Sequence, residues 1–203
     1  MSEDQPVVIV IDDDPDIRNA LQGLLETVDL PTALFATASE FLASKRPQGP
    51  CCIVVDVRLP GLSGLDFQQE LARENNPIPV IFITGHGDIP MSVRAMKAGA
   101  VEFLTKPLRD QELLDAIQAA LRRDRARLED ERKGADLRTR QESLTARERQ
   151  VMALLVAGRV NKQIAAEIGI SEVTVRLHRG QIVRKMRASS LADLIRIADK
   201  IKL

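Results

Sequence analysis

The first half of the chain has polar groups at four places that suit the transfer of a phosphoryl group to a carboxylate. Acidic residues 12–14 follow the apolar run 7–11, and Asp56 lies near the end of a second apolar run. Thr84 ends a third run, and Lys106 follows a fourth. Carboxylates in one cleft repel each other unless a cation is present, and Mg²⁺ prefers carboxylate oxygens. Lys106 and Mg²⁺ can neutralise an acyl phosphate on Asp56, to which the Thr84 hydroxyl can donate a hydrogen bond.

Short apolar runs alternate with helical patterns over this half of the chain, and they predict the elements that position those groups. The alternation is typical of an α/β doubly wound fold, in which helices cover both faces of a five-stranded parallel sheet. Ligands bind such sheets at the carboxyl ends of the strands, where all four groups should meet. The predicted strands are 7–11, 32–35, 53–57, 80–83 and 101–104, and the predicted helices are 16–27, 39–43, 65–74, 89–98 and 111–121.

Residues with capping chemistry mark several of these helix boundaries. Ser39 is predicted to cap the second helix and Asp88 the fourth. Asp14 and Asp16 are interpreted as charges at the start of the first helix rather than as metal ligands, because acidic side chains are favoured there. His86 lies between two glycines and is interpreted as an exposed loop residue, with a gating role at the acid site as the alternative.

Residues 122–140 are highly charged and lack a complete apolar stripe. Apolar residues fall near coiled-coil spacing, but Asp124 interrupts the pattern. A helical linker is therefore favoured over a dimerising coiled coil, and Gly134 is expected to break its helix. This interpretation places one domain at 1–121 and a second at 141–203.

The second domain is expected to be all-α, because it contains four short helical patterns. Thr145 and Glu148 form a capping box at the first helix. Gly169, Ile170 and the cap Ser171 join the second and third helices, which is the helix-turn-helix arrangement. The predicted helices are 146–157, 161–168, 172–187 and 191–201, with Ser190 as the cap of the last one.

The third of these helices has two different sides. Its expected core side carries Val175, Ile182 and Met186, and His178 near that side is interpreted as a packing residue. The other side is able to enter a major groove, where arginine pairs with guanine and other cations contact phosphates. That second side carries Val173, Arg176, Gly180 and Arg184.

Charge and apolar content exclude some classes of protein. Residues 1–121 carry 9 Lys/Arg and 18 Asp/Glu, whereas residues 141–203 carry 12 and 6. An acidic front half suits a metal and a basic rear half suits a polyanion. No apolar run approaches the roughly 18 residues that span a bilayer, and the start is too polar for a secretory signal, so a soluble, cytoplasmic protein is expected. Cys51 and Cys52 are adjacent and are interpreted as small apolar residues rather than as a disulfide or a zinc site.

The stretch from Val7 to Leu121 resembles the receiver domain of response regulators, a flavodoxin-like fold. The resemblance rests on the early acid pair, on Asp56 with the Leu59-Pro60 and Gly64 that follow, on Thr84-Gly85 and on Lys106-Pro107, and the region from Ile83 to Ala100 is similar to the FixJ-type regulators.

The resemblance implies a role for each matched residue. Asp56 accepts phosphate from a sensor histidine kinase, and Thr84 and Lys106 contact the phosphoryl group. Phe103 stands at the position of the aromatic switch residue, which responds to Thr84 and rearranges a surface used for dimerisation. The implied Mg²⁺ ligands are Asp13, Asp56 and the backbone carbonyl of Arg58, with Asp12 acting through water.

The stretch from Leu144 to Ile201 resembles the LuxR-type DNA-binding domain. The matching elements include Leu144-Thr145-x-Arg147-Glu148, Asn161-Lys162, Ile170-Ser171, Thr174-Val175 and His178-Arg179. The resemblance implies DNA contacts from the recognition helix, and Gly180 stands where some relatives have a basic residue. The implied base contacts are Arg176, Leu177 and Gly180, the implied phosphate contacts are Lys162, Arg179 and Arg184, and Thr174 completes the DNA-binding set.

Together, the two resemblances indicate a transcriptional regulator of the NarL/FixJ family. Phosphorylation of Asp56 is expected to control homodimerisation and binding to double-stranded DNA, with RNA polymerase as a further candidate partner. One alternative is a regulator driven by a ligand or partner without phosphate. Another is a phosphatase of the haloacid-dehalogenase type, but Arg58 stands where those enzymes have a second carboxylate. The only catalysis expected is acceptance and slow loss of the chain's own phosphate.

Overall fold

The computed structural model describes residues 5–85 and 87–200, except for the side chain of Lys200. His86 and the predicted end of the last helix at 201 lie outside the described residues. The chain divides into two compact units, with the boundary between Leu128 and Glu129. No helix in the described part of the chain is long and apolar enough to cross a membrane.

The first unit is a five-stranded, fully parallel sheet with helices on both faces, as the sequence predicts. The strand order is β2-β1-β3-β4-β5. The strands are β1 (Val7–Ile11), β2 (Thr32–Phe35), β3 (Cys51–Asp56), β4 (Val80–Thr84) and β5 (Glu102–Thr105). The helices are α1 (Pro15–Glu26), α2 (Ala38–Ala43), α3 (Gly64–Arg73), α4 (Ile89–Lys97) and the part of α5 (Asp110–Glu142) that precedes the boundary.

Strand β1 shows how the alternation of side chains builds the two layers of the core. Ile9 and Ile11 pack on one face of the sheet with α3, whereas Val8 and Val10 pack on the other face with α1 and α5. All four side chains are fully buried, which explains why the strand is a continuous apolar run rather than an alternating one. Burying such a side chain stabilises the fold by roughly 1.5–3 kcal/mol.

The predicted cap is confirmed at α4 and is wrong at α2, and Asp14, predicted as a charge at the start of α1, is the N-cap of that helix. Asp14 and Asp88 are the N-caps of α1 and α4. The prediction of Ser39 as a cap is wrong, because Thr37 caps α2 two residues earlier. Thr37 has extended backbone and accepts a hydrogen bond from the Glu40 N–H, and the Glu40 carboxylate accepts one from the Thr37 N–H. This reciprocal capping box satisfies two backbone donors, which a cap at Ser39 would leave without partners.

The prediction that Gly134 breaks the linker helix is also wrong. Helix α5 continues through Gly134 to Glu142, where the sequence predicts a helix that ends at 121 and a separate linker helix. A glycine inside a helix costs about 1 kcal/mol relative to alanine. Good helix formers on both sides, among them Arg132, Lys133 and Ala135, outweigh that cost.

The second unit contains four further helices around one apolar core. Val151, Met152, Ile164, Val175 and Ile182 are fully buried in it. The predicted capping box at Thr145 and the predicted caps Ser171 and Ser190 are confirmed, because each side chain accepts a hydrogen bond from the backbone N–H three residues later. The helices are α6 (Ala146–Val156), α7 (Asn161–Ile168), α8 (Glu172–Met186) and α9 (Leu191–Lys200).

Candidate functional site

Three charged side chains meet at the carboxyl edge of the sheet in the first unit. The Lys106 Nζ lies 2.8 Å from Asp12 Oδ2 and 2.7 Å from Asp56 Oδ2, so one ammonium group joins two carboxylates. Asp12 is 1% exposed and Asp56 is 8% exposed, which means that neither carboxylate is compensated mainly by water. Removing Lys106 would leave two buried like charges facing each other.

The order of the strands explains this meeting. Asp12 follows β1, and Asp56 is the last residue of the neighbouring strand β3. Lys106 follows β5, which is separated from β3 by β4. The long lysine side chain therefore reaches across the end of β4 to the two carboxylates, while its own backbone N–H donates to the Thr84 carbonyl at 2.7 Å.

Backbone N–H groups hold the second oxygen of each carboxylate. The Asp14 N–H donates to Asp12 Oδ1 at 3.0 Å, and the Arg58 N–H donates to Asp56 Oδ1 at 2.9 Å. Each carboxylate is thus fixed by its own following turn on one side and by Lys106 on the other. Such a fixed, desolvated arrangement is the kind that stabilises charge in a transition state without further reorganisation.

Burial and pairing act in opposite directions on the ionisation of this cluster. Burial raises the pKa of Asp12 above its usual value, although hydrogen bonds from Lys106 and from the Asp14 N–H oppose the change. Burial alone would lower the pKa of Lys106, but the hydrogen bonds to Asp12 and Asp56 outweigh it and raise that pKa. Lys106 is therefore positively charged at neutral pH.

The remaining residues of the expected acid site lie around this cluster at different depths. Thr84 is fully buried at the end of β4, and Phe103 is half-buried on β5 with its ring centroid 6.2 Å from that of Phe82. Asp13 and Arg58 are exposed. The structure thus brings Asp12, Asp56 and Lys106 into direct contact, places Thr84 on the adjoining strand end and leaves the Asp13 side chain in solvent.

The oxygen donors at this edge are of the kind that a Mg²⁺ ion prefers. Carboxylates of Asp12, Asp13 and Asp56 and the Arg58 carbonyl belong to two adjoining turns, and magnesium takes hard oxygen ligands together with water. Within the described residues, no three potential ligands come together as a preformed metal cluster. Lys106 bridges the two buried carboxylates.

Sequence reasoning used Gly64 only as part of a family motif and assigned no role at the acid site to Gly87 or Arg18. A Cβ on Gly64 would lie 2.4 Å from the Asp56 carbonyl oxygen, so only glycine allows α3 to begin this close to β3. A Cβ on Gly87 would lie 2.8 Å from the Phe103 ring and 3.0 Å from Thr84 Cγ2. The Arg18 guanidinium donates to the Asp12 carbonyl at 2.6 Å. These contacts depend on tertiary packing, and no local pattern in the sequence predicts them.

In the second unit, helices α7 and α8 form the helix-turn-helix arrangement that the sequence predicts. Helix α7 ends at Gly169, whose φ of +68° is the left-handed conformation that favours glycine. Ser171 then caps α8. The expected core side of α8 is confirmed, since Val175, Ile182 and Met186 are fully buried.

The expected DNA-binding residues lie mainly on the surface of this unit. The exposed residues on α8 are Arg176, Leu177, Gly180 and Arg184, and the half-buried ones are Thr174, His178 and Arg179. Lys162 is exposed in the first turn of α7. The Thr174 hydroxyl is 2.8 Å from that of Ser171, so it takes part in the cap of α8. Arg184 is hydrogen-bonded to Gln181 on the same helix.

A partly buried ion pair joins the start of α6 to α8. Lys185 Nζ lies 2.7 Å from Glu148 Oε2, and Glu148 Oε2 also accepts the Thr145 N–H at 2.7 Å. Burial raises the pKa of Glu148, but the hydrogen bonds from Lys185 and Thr145 outweigh it and hold the pKa below its usual value. Lys185 also donates to the Ser143 carbonyl at 3.0 Å. These contacts join α8 to the segment at the start of α6.

Two protein families match separate parts of the chain. The response regulator receiver domain matches residues 8–118, and the luxR family of bacterial regulatory proteins matches residues 142–198. The chain is 55% identical over 195 residues to nodulation protein W of Bradyrhizobium diazoefficiens, covering 96% of this chain and 86% of that protein. It is 41% identical to the transcriptional regulatory protein FixJ of the same organism, covering 94% of this chain and 93% of FixJ.

Solved structures of similar proteins have the same fold. The response regulator StyR is 46% identical, covers 97% of this chain and 99% of its own, and gives a TM-score of 0.89. Full-length FixJ from B. japonicum is 38% identical, covers 98% of each chain and gives a TM-score of 0.57.

These relatives are transcriptional regulators of two-component systems rather than enzymes, so the phosphatase alternative is excluded. A receiver domain implies a histidine kinase partner, and a luxR-type domain implies binding to DNA. The chain belongs to the NarL/FixJ family of response regulators, in which a receiver domain is joined to a LuxR-type DNA-binding domain.

Proposed function

We propose that Asp56 is the phosphoacceptor through which this response regulator is switched. The observation that carries the proposal is the bridge from Lys106 to both Asp12 and Asp56 at the carboxyl edge of the sheet. An Asp56 oxygen attacks the phosphorus of a phosphohistidine on the sensor kinase, a P–O bond forms, and the P–N bond breaks with its electron pair leaving on the imidazole. Lys106 is then available to pair with a phosphoryl oxygen, and Thr84 donates its hydroxyl hydrogen bond to another.

The proposed Mg²⁺ site uses Asp13, Asp56 and the Arg58 carbonyl, with Asp12 contributing through water. The bound ion supplies positive charge that offsets the charge of the phosphoryl oxygens. The bridge to Lys106 holds the Asp12 and Asp56 carboxylates close together. The side chain of Asp13 is exposed and is therefore accessible to an ion from solvent.

We further propose that phosphorylation promotes homodimerisation through the surface of α4 and β5, with Phe103 as the switch aromatic. The second unit of each protomer then binds one of two half-sites in double-stranded DNA, and the half-sites lie about one helical turn apart. The recognition residues are Thr174, Arg176, Leu177 and Gly180, and the phosphate contacts are Lys162, Arg179 and Arg184.

RNA polymerase is a proposed further partner, and the proposed location is the cytoplasm. The proposed boundaries are 1–121 for the receiver domain, 122–140 for the helical linker and 141–203 for the DNA-binding domain.

Phosphorylation with a small phosphodonor tests the acceptor directly. The wild-type chain, incubated with acetyl phosphate and Mg²⁺, should gain one phosphoryl group in its intact mass, and Asp56→Asn should gain none. Asp14→Asn is the matched control, because Asp14 lies at the same edge but serves as the N-cap of α1. Phosphorylation of Asp56→Asn to the wild-type extent would show that the acceptor is elsewhere.

A further inference from the structure

Two large apolar side chains of α8 are exposed where the helix should meet a ligand. Val173 is 60% exposed and Leu177 is 66% exposed. They are four residues apart, so they lie one turn apart on the same side of the helix. The core takes Val175 and Ile182 from the other side of α8, and it does not account for either exposed side chain.

The surroundings of this pair indicate a polyanion rather than a second apolar surface. Arg176 and Arg184 are exposed on the same side of α8, and residues 141–203 carry 12 Lys/Arg against 6 Asp/Glu. An apolar protein partner would have to desolvate these guanidinium groups without pairing them, which is costly. A nucleic acid offers phosphates to the cations and also offers apolar groups among its base edges.

Gly180 lies on the same side of α8 as Val173 and Leu177. A Cβ on Gly180 would have no heavy atom within 4 Å, so the surface beyond Leu177 is open. Gly180 presents no side-chain donor or acceptor, and neither do Val173 and Leu177. At Val173, Leu177 and Gly180, side-chain discrimination between bases is therefore limited to apolar contact.

The apolar group that a base pair presents in the major groove is the 5-methyl group of thymine. We propose that Val173 and Leu177 together read thymine methyl groups in each half-site, with Val173 as a specificity-determining residue in addition to the recognition residues named above. The proposal rests on the proposed DNA-binding function of α8. Arg176, between the two apolar residues in sequence, supplies the hydrogen-bonding contact, for which guanine is the matching base.

The experiment uses the full chain, phosphorylated with acetyl phosphate and Mg²⁺. Binding sites are first selected from a random duplex library, and each selected thymine is then replaced by uracil, which removes the methyl group and keeps every hydrogen-bonding atom. Two thymines in each half-site should each lose about fourfold in affinity on replacement, the equivalent of about 0.8 kcal/mol for one buried methyl group.

Variants assign each methyl group to its side chain. Val173→Ala should abolish the response to uracil at one position and Leu177→Ala at the other, since the partner of that methyl group is gone. Val160→Ala is the matched control, because Val160 is also 60% exposed in this unit but lies at the N-cap of α7. It should leave both uracil responses unchanged.

The outcomes separate this proposal from the one on which it rests. A selected site whose affinity is unchanged by uracil at every position overturns methyl reading, while sequence-specific DNA binding stands. Equal uracil responses in the wild type, Val173→Ala and Leu177→Ala overturn the assignment of these side chains. A library that yields no selected sequence overturns sequence-specific DNA binding itself, and methyl reading falls with it.

Discussion

Glu148 is a single side chain whose ionisation should control the stability of the second unit. Its folded-state pKa is lowered, because the hydrogen bonds from Lys185 and Thr145 outweigh the effect of burial. A carboxyl group with a lowered folded-state pKa stabilises the fold above its unfolded value, here near 4.5, and that contribution disappears as the pH falls through the folded-state pKa.

We therefore expect Glu148→Gln to lower the free energy of unfolding of the second unit by about 1–3 kcal/mol at pH 7 and to flatten its pH dependence below about pH 4.5. Urea unfolding of the full chain, followed by probes in the second unit, measures both effects. Glu167→Gln is the control, because Glu167 is exposed on α7. Identical pH profiles for the wild type and Glu148→Gln would contradict the role of this ion pair.

Gly87 is expected to set the position of Phe103. Because a Cβ would lie 2.8 Å from the Phe103 ring and 3.0 Å from Thr84 Cγ2, Gly87→Ala must displace one of these side chains. The expected result is a loss of about 1–3 kcal/mol in the free energy of unfolding, as for overpacked sites, together with a changed dimerisation response to phosphodonor. Gly85→Ala is the matched control, since its Cβ would have no heavy atom within 4 Å. Equal behaviour of the two variants would show that Phe103 has no close contact with this loop.

At the residue scale, the sequence predicts groups that end strands better than groups that pack against them. The sequence predicts one common location for Asp56, Thr84 and Lys106, because the carboxyl ends of parallel strands lie at the same edge of a sheet. The contact between the Arg18 guanidinium and the Asp12 carbonyl could not, because it depends on the orientation of α1 against β1. The bridge from Lys106 to both acids likewise depends on the strand order, which places β5 two strands away from β3.

Helix α5 is held to the sheet by a buried carboxylate. Asp124 is fully buried, and its Oδ2 accepts the Cys51 N–H at 2.8 Å while its Oδ1 accepts Arg127 Nε at 2.8 Å. The contact joins α5 to the first residue of β3. The residue that interrupts the coiled-coil pattern in the sequence is therefore one that anchors the helix to its own receiver domain.

Asp124→Ala should destabilise the receiver domain by roughly 3–5 kcal/mol, because it leaves the Cys51 N–H and Arg127 without this buried partner. Asp124→Asn keeps an acceptor for the Cys51 N–H and should lose less. Urea unfolding of the full chain measures the difference, with Asp130→Ala, an exposed position on the same helix, as the control. The anchoring role is wrong if Asp124→Ala unfolds at the same urea concentration as the control.

At the element scale, hydrophobic periodicity predicts all five strands and the helices between them, because buried parallel strands are continuous apolar runs. Boundaries are harder to predict where two side chains compete. Thr37 and Ser39 are both capping residues, and only the reciprocal bond with Glu40 decides between them. Gly134 alone predicts a break in α5, whereas its many helix-favouring neighbours keep the helix continuous.

At the scale of the whole molecule, the charge asymmetry of the sequence corresponds to two units with different chemistry. The acidic first unit holds its carboxylates around Lys106, and the basic second unit presents α8. The family of the chain follows from both units together, since either unit alone is found with other partners. The account therefore requires that a change at Asp56 in one unit alters DNA binding by the other.

The measurement that tests this requirement most directly is DNA binding and light scattering of the full chain before and after treatment with acetyl phosphate and Mg²⁺. The account predicts that phosphodonor raises both dimerisation and affinity for DNA in the wild type, and that Asp56→Asn shows neither response. An identical response in the two proteins would contradict it, and control by a ligand or a protein partner would then be the better explanation.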